Sequence, residues 1–471
     1  MLLRTLWFKL FSAFFLIVFS FVGCGRFLVP KPAEGQRAVE NDEVRIGREF
    51  RREAKKNLKL VRHLEVERYV DNVGRRILSA MGPQSFDYRF FVVEDSHLNA
   101  FAVPGGSIYV YTGLLERITS TDELAGVLGH EIVHVQHHHL VKLSGGLDPT
   151  NLLALLGVLL ARGSGGALGQ AAGVIGQGIA ATRQLSFSRE LEREADTFGL
   201  RYVAQAGYDP DGIVRFLRVI DKERILNPVA LPPYLMTHPL TQERVADVER
   251  MIHALGSKPP RPADPDPLRK IQAILRLERH EADAVISEYE KLLSQNPENS
   301  EWAYLLGFAY HYQARLPEAR RNYERARNLD SQSPGINRDL GRFYLQSGEY
   351  DLARAAFERS LKAEPKEPLT YLYLGELHEK EENLSEAATV YLTAHNLSPL
   401  WAEPAYRLGV IYGKMNRLGD AYYYLGKSKL LLDEDEKAMA DFERAVKIYG
   451  PKSPRGEVVK EELENLKVRK R

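Results

Sequence analysis

The sequence predicts an α+β domain over about residues 41–255, followed by an all-α solenoid of paired helices over residues 268–471. Three observations support this division. A strand-rich stretch, residues 88–111, precedes a long helix; a Pro-rich stretch, residues 256–267, interrupts the chain; and a sequence repeat of constant period follows it. A chain of 471 residues is long enough for two or three domains, each with its own core.

The composition argues against one class of binding partner, and it also limits covalent cross-links. The net charge is +1, and no block of basic residues occurs outside the tail at 467–471, so nothing points to nucleic acid. The chain contains one cysteine, Cys24, which excludes a disulfide within the chain.

The N-terminus has the pattern of a signal peptide of the lipoprotein type, residues 1–23. A short basic region precedes the apolar run Leu10–Val22, which is shorter than the ~20 residues that span a bilayer. Phe21-Val22-Gly23-Cys24 resembles a bacterial lipobox, which predicts a lipid anchor on Cys24 and, with Gly25 after it, the outer membrane facing the periplasm. An ordinary cleaved signal and an uncleaved anchor are the alternatives. Residues 24–40 are predicted to be a tether.

The first domain begins with two amphipathic helices over residues 41–81, and three strands follow near 88–93, 99–103 and 107–111. An exposed strand edge can hold an extended peptide, and Asn99–Ala102 is the candidate. A plain core hairpin is the alternative.

His130-Glu131-Ile132-Val133-His134 is an H-E-x-x-H sequence, and its chemistry requires a helix. Ser120 and Glu123 resemble a capping box at the start of that helix. At ~3.6 residues per turn, His130 and His134 lie on one face and can bind one metal ion. Glu131 lies close enough to act as general base. These ligand types suit a single zinc ion that keeps an open position.

A third ligand is expected further along the chain, in Ser188–Asp196. Glu190 and Glu194 are predicted to face solvent, whereas Glu192 and Asp196 border the apolar stripe of the helix. Because a buried carboxylate needs a metal or a partner, we assign Glu192 as the third zinc ligand. Asp196, one turn later, is placed to orient a ligand histidine. Between these motifs, residues 144–182 are rich in Gly, Ala and Leu and are expected to form buried or lid-like helices, with lipid contact as the alternative.

These motifs resemble the zinc peptidase family that includes the CAAX prenyl proteases and the bacterial HtpX heat-shock proteases. The resemblance covers about residues 41–255 and implies a zincin-like (gluzincin) metallopeptidase fold with Glu192 as ligand and Asp196 as its helper. Thr237-His238-Pro239, with Arg244 six residues after the histidine, resembles a segment of the soluble periplasmic members. It implies that His238 acts as a fourth, inhibitory ligand or assists the transition state. It also implies that Arg244 stabilises the oxyanion or holds that loop.

Beyond the Pro-rich linker, a Leu-Gly pair recurs at a constant interval. An alanine follows each glycine at a fixed distance, and a large apolar residue follows that alanine one helical turn later. The glycines are Gly307, Gly341, Gly375 and Gly409, and the alanines are Ala319, Ala353, Ala387 and Ala421. The interval of about 34 residues is that of the tetratricopeptide repeat, here with about five to six helical pairs. The pattern restarts half an interval early at Gly426, so one helix is expected to serve two pairs.

Together these features predict a membrane-tethered zinc endopeptidase whose repeats dock substrate or assembly machinery. The family resemblance implies quality control of outer-membrane proteins: the substrates would be unfolded or misassembled ones, and the repeats could also meet the barrel assembly machinery. The alternative is a repeat chaperone or scaffold whose peptidase site is normally shut.

Overall fold

The computed structural model describes residues 34–143, 186–226, 232–256 and 266–470. Residues Val44–Arg471 form one compact unit. None of the helices in the described ranges is long and apolar enough to cross a membrane. The predicted signal peptide, Cys24 and the Gly-, Ala- and Leu-rich stretch of residues 144–182 lie outside these ranges, as does most of the Pro-rich linker.

The first part of the chain is a small sheet surrounded by helices. Its elements, in chain order, are α1 (Glu34–Asn57), α2 (Leu64–Met81), β1 (Arg89–Val93), β2 (Ala100–Val103), β3 (Ser107–Tyr111), α3 (Thr112–Arg117), α4 (Thr121–Gln136), α5 (His139–Leu143), α6 (Arg189–Gln205), α7 (Asp211–Leu226), α8 (Tyr234–Thr237) and α9 (Gln242–Leu255). The three strands lie where β-branched and aromatic residues predicted them.

The sheet has the order β1-β3-β2, with β1 parallel and β2 antiparallel to the central strand β3. Strand β2 therefore lies at an edge, as expected for Asn99–Ala102, and it packs near α4. All four residues of β2 are buried, so an extended peptide could pair with this edge only after its present cover moves.

Helix α4 is the centre of this part. It contacts α2, α6, α7 and the sheet, and its residues Glu123–Val135 are buried. Gly129 faces Gly199 of α6 where the two helices cross. A Cβ atom added at Gly199 would lie 3.1 Å from the Gly129 carbonyl group, and one at Gly129 would lie 2.5 Å from Val203 Cγ2. The two glycines therefore permit the close approach that brings α6 to the H-E-x-x-H sequence.

The second part consists of helix pairs, as the repeat predicts. Its helices are α10 (Leu268–Glu278), α11 (Ala282–Gln295), α12 (Ser300–Tyr312), α13 (Leu316–Leu329), α14 (Pro334–Gln346), α15 (Tyr350–Ala363), α16 (Pro368–Lys380), α17 (Leu384–Leu397), α18 (Ala402–Lys414), α19 (Leu418–Leu431), α20 (Asp435–Tyr449) and α21 (Pro454–Lys470).

The repeated glycines mark where the two helices of a pair touch. A Cβ atom added at Gly375 would lie 2.3 Å from the Tyr391 ring, and one at Gly341 would lie 2.6 Å from the Phe357 ring. Helix α19 packs on both α18 and α20, and its Gly426 meets an aromatic ring of α20 in the same way. The early restart of the repeat therefore reflects one helix shared by two pairs.

The two parts share an interface rich in buried charge. Glu65 of α2 pairs with Lys270 of α10, which also pairs with Asp339 of α14. Arg68 Nη1 donates to Ser398 Oγ at 3.1 Å, and the Arg68 guanidinium also lies over a tryptophan ring of the second part. Helices from several successive pairs thus contact the first part of the chain.

A second buried cluster at this interface surrounds the carboxylate of Asp433, in the turn between α19 and α20. Arg51 Nη2 lies 3.1 Å and Arg89 Nη1 lies 3.0 Å from Asp433 Oδ1, and Lys55 Nζ lies 3.3 Å from Oδ2. Burial alone would raise the pKa of Asp433, but Arg89 and Arg51 outweigh it and lower that pKa. The carboxylate is therefore held in its charged form between the two parts.

Two local expectations differ from the structure. Helix α1 begins at Glu34, inside the predicted tether, because the last proline of that stretch is Pro32 and the residues after Gly35 are compatible with a helix. Ser120 does precede α4, but its side chain makes no capping hydrogen bond. Glu123 Oε1 instead accepts from the Thr119 backbone N–H at 3.2 Å and from the Thr119 hydroxyl at 2.6 Å.

Candidate metal centre

Helix α4 places His130 and His134 on one buried face. Their Nε2 atoms lie 3.0 Å apart, and both rings are almost fully excluded from solvent. Such an approach of two ring nitrogens in the interior suits a shared ligand better than it suits apolar packing. Glu131, also buried, follows His130 on the neighbouring face of the helix.

Helix α6 supplies two carboxylates to the same place. Glu192 Oε1 lies 3.4 Å from His134 Nε2, and Glu192 Oε2 lies 3.6 Å from His130 Nε2. One turn later, Asp196 Oδ1 lies 2.9 Å from His130 Nδ1, the ring nitrogen that faces away from the cluster. The order along α6 thus puts one carboxylate beside the Nε2 atoms and the other behind His130.

A turn after α8 brings in His238. Its Nδ1 lies 2.9 Å from Glu192 Oε1 and 3.3 Å from His130 Nε2, and its Nε2 lies 3.4 Å from Glu131 Oε1. The ring stacks on Tyr234, with 4.4 Å between the ring centres. His238 is therefore fixed inside the cluster by its own segment.

Arg244 of α9 joins the carboxylates to this segment. Its Nε and Nη2 donate to the two oxygens of Asp196 at 2.8 and 2.9 Å, and Nη1 contacts Glu192. Nη1 also donates to the Pro239 carbonyl at 3.3 Å. Of the two roles implied by the family resemblance, this geometry favours holding the loop, because the guanidinium is already engaged by two carboxylates.

Burial and neighbouring charge set the protonation of the cluster. Burial alone would lower the pKa of His130, but Glu192 and Asp196 outweigh it and raise that pKa to about 9. Burial lowers the pKa of His134 well below its usual value, so that ring is neutral. Burial also raises the pKa of the Glu131 carboxyl, which suits a general base working near neutral pH.

The carboxylates of α6 are held in the charged form. Burial would raise both pKa values, but Arg244 and the neighbouring histidines lower the pKa of Glu192 well below its usual value. Arg244 and His130 likewise lower the pKa of Asp196 to about 2. A metal ion requires charged carboxylates and neutral imidazoles. Glu192 and His134 are already in these forms, whereas His130 must first lose its proton.

The residues present fit a zinc ion. The potential ligand atoms of His130, His134, Glu192 and His238 all lie within 4.8 Å of one another, and all four residues are buried. Two or three imidazoles with one carboxylate form a nitrogen-and-oxygen donor set that zinc accepts in tetrahedral sites. The structure thus brings together every residue that the sequence singled out for the site: His130, Glu131, His134, Glu192, Asp196, His238 and Arg244.

A second cluster beside this one was not predicted. Glu194 does not simply face solvent: its Oε1 lies 2.5 Å from His137 Nδ1, and its Oε2 lies 3.3 Å from His139 Nε2. The prediction was wrong for Glu194, because the periodicity of α6 alone does not reveal the turn after α4 that folds over it; Glu190 is exposed, as predicted. The run His137-His138-His139 directly after the H-E-x-x-H helix was the available signal.

Comparison with known proteins agrees with this geometry. Residues 65–252 match the model of peptidase family M48, and residues 338–399 match a tetratricopeptide repeat model. The beta-barrel assembly-enhancing protease of Escherichia coli (strain K12) is 28% identical over 45% of this chain and 44% of its own length. That of Yersinia pestis is 28% identical over 61% of this chain and 59% of its own.

The mitochondrial metalloendopeptidase OMA1 of Schizosaccharomyces pombe is 31% identical over 39% of this chain and 52% of its own length. The chain thus spans about half the length of the curated relatives that it matches. The structure agrees with the two matched family models. It has two buried histidines on one helix turn and a carboxylate from a later helix, and an array of helix pairs that touch at glycines follows. The chain therefore carries a peptidase family M48 domain, which a tetratricopeptide repeat region follows.

Proposed function

We propose that this chain is a zinc-dependent endopeptidase of the bacterial periplasm, with residues 41–255 as its catalytic part and residues 268–471 as its docking part. The observation that carries the proposal is the buried convergence of His130, His134 and Glu192, with Glu131 beside them. The match to a peptidase family supports the same reaction.

In this mechanism His130, His134 and Glu192 would hold one zinc ion. When bound, zinc supplies Lewis acidity and lowers the pKa of a water molecule at the site. Glu131 takes the proton of the attacking water and then gives it to the leaving amine, a role that its raised pKa favours. Asp196 orients His130, and Arg244 fixes Asp196 and the segment that carries His238.

We propose misfolded or stalled outer-membrane proteins as substrates. The name of the relatives, beta-barrel assembly-enhancing protease, supports this class. We further propose a lipid anchor at Cys24 in the outer membrane, on the lipobox-like sequence before it. Metabolic labelling with a fatty acid tests the anchor: label on the wild type that is absent from Cys24→Ser is expected, and equal labelling would contradict it.

A second candidate, a repeat scaffold with a shut peptidase site, is favoured by His238. Its contacts with Glu192 and Glu131 occupy both the ligand carboxylate and the proposed base. In this form His238 acts as a fourth, inhibitory ligand. Turnover would then require the segment 232–241 to move away from the cluster.

The substitution Glu131→Gln separates the two candidates. It removes the base but leaves the proposed ligands, so we expect cleavage of an unfolded casein probe to fall about 10²–10⁴-fold while bound zinc stays at one per chain. His130→Ala is the matched control and should lose the zinc itself. If the cellular phenotype of a deletion is rescued fully by Glu131→Gln, the scaffold is the correct function; retained cleavage in Glu131→Gln would contradict the proposed mechanism.

A further inference from the structure

A second histidine, His139, contacts the proposed zinc ligand His134 on the side of its ring that faces away from the metal cluster. The backbone of His138 is left-handed, with φ 55°, and this reversal after α4 turns His139 back onto the helix. His139 Nδ1 lies 3.0 Å from His134 Nδ1, and both rings are buried. His139 Nε2 on the other side of the ring faces Glu194 Oε2 at 3.3 Å, and Glu194 Oε1 meets His137 Nδ1 at 2.5 Å.

His134, His139 and Glu194 form a row of side chains, and the number of protons on each neutral ring fixes which atom donates each hydrogen bond in it. His134 Nε2 is the nitrogen that lies beside His130 Nε2 and Glu192, so it is the one that binds the ion in the proposed centre. A neutral imidazole has one ring proton, which must then lie on Nδ1 of His134. Since His139 Nδ1 faces that proton, it accepts, and the proton of His139 lies on Nε2. That N–H donates to the carboxylate of Glu194.

We infer that His139 and Glu194 are positioning residues for the zinc ligand His134. Their row of hydrogen bonds fixes the ring orientation of His134 and makes its Nε2 a better donor to the metal. The inference rests on the proposed metal centre. Asp196 of α6 contacts the ligand His130 directly, and Glu194 of the same helix contacts the ligand His134 through His139. Each ligand imidazole is thus oriented by a carboxylate of α6.

A second metal ion at His137, His139 and Glu194 is the competing explanation, since their potential ligand atoms lie within 4.8 Å of one another. Such an ion would need the lone pair of His139 Nε2, which moves the ring proton to Nδ1. Two N–H groups, on His134 and His139, would then face each other at 3.0 Å. The hydrogen-bonded row leaves no such conflict, and it is therefore preferred.

Zinc affinity of the full chain tests the inference, by competition with a chromogenic chelator. His139→Phe keeps a ring but removes the acceptor, and we expect it to weaken zinc binding about 10–100-fold. His139→Gln supplies an amide oxygen that can accept, and it should recover most of the affinity. Glu194→Gln, at a partly exposed position, should give a smaller loss of the same sign. The control Glu190→Gln, one turn earlier and exposed, should match the wild type.

Imidazole ¹⁵N NMR of the zinc-loaded wild type gives a readout that needs neither activity nor a variant that folds. We expect His139 to carry its proton on Nε2 and His134 to carry its proton on Nδ1. The inference is overturned by a proton on His139 Nδ1, by wild-type affinity in His139→Phe, or by a second bound zinc that His137→Ala removes. A wild type that binds no zinc would instead remove the proposed function itself, which makes the two failures distinguishable.

Discussion

His130 holds a proton in the metal-free protein, because Glu192 and Asp196 raise its pKa to about 9. A metal ion must displace that proton, so protonation competes with binding at every pH below about 9. We therefore expect zinc affinity to rise by about tenfold per pH unit from pH 7 and to level off near pH 9. Chelator competition at several pH values measures this.

Asp196→Asn serves as the control for that profile. Without the second carboxylate the pKa of His130 falls, so the affinity should level off at a lower pH, and it should be about 10–100-fold weaker at the plateau. A wild-type affinity that does not change between pH 7 and pH 9 would contradict the assignment of the proton to His130.

His238 should restrain turnover. Because its ring contacts both Glu192 and Glu131, we expect His238→Ala to raise kcat/KM for an unfolded casein probe by several-fold, with zinc still bound. Tyr234→Phe, which keeps the stacked ring, should leave His238 in place and is the matched variant. A fall in kcat with zinc retained would instead assign His238 to the transition state.

Single residues also show what the sequence could reveal. His130, His134 and Glu192 follow from helical spacing and the cost of burying a carboxylate, and the structure brings them together. The spacing gives no means of placing His238, which lies far along the chain; the family resemblance suggested it. The row of contacts behind His134 depends on a left-handed backbone at His138, and no periodicity predicts such a reversal.

At the level of helices, the crossing of α4 and α6 decides whether the two halves of the site meet. A side chain at Gly199 would press on the Gly129 backbone, so Gly199→Val should force the helices apart. We expect it to destabilise the fold by about 1–3 kcal/mol and to weaken zinc binding together with stability. Urea unfolding and chelator competition measure the two effects.

Gly335→Ala is the matched control for that substitution. It adds a Cβ atom to a helical glycine, as the valine does at Gly199, but no atom lies within 4 Å of that Cβ position, so stability should stay equal or rise slightly. Equal stability of Gly199→Val and the wild type would show that the crossing can widen freely.

Strands and helices were the most predictable elements. The three strands, the H-E-x-x-H helix and the repeat glycines lie where residue patterns placed them, because each pattern reports local geometry directly. Less predictable were the features set by contacts between distant elements. The Pro-rich linker suggested two separate parts, whereas the buried pairs of Lys270 with Glu65 and of Asp433 with Arg51 join them.

At the scale of the whole chain, Asp433 is the test of that interface. Asp433→Asn leaves the buried Arg51 and the largely buried Arg89 without their anion, and we expect a loss of about 3–5 kcal/mol in the free energy of unfolding. Asparagine tolerates the left-handed backbone at this position, φ 54°, so the loss reports charge rather than strain. Urea unfolding with Glu434→Gln, a partly exposed neighbour, as control measures it; equal midpoints would contradict the role of Asp433.

We expect the buried charge pairs to hold the two parts together even when the covalent connection between them is cut. A protease site engineered into residues 257–265 would allow the chain to be cut after folding. We expect the two fragments to elute as one particle in size-exclusion chromatography, and to separate only when high salt and urea are combined. The peptidase part and the repeat part would then behave like two subunits of a complex that are encoded in a single polypeptide.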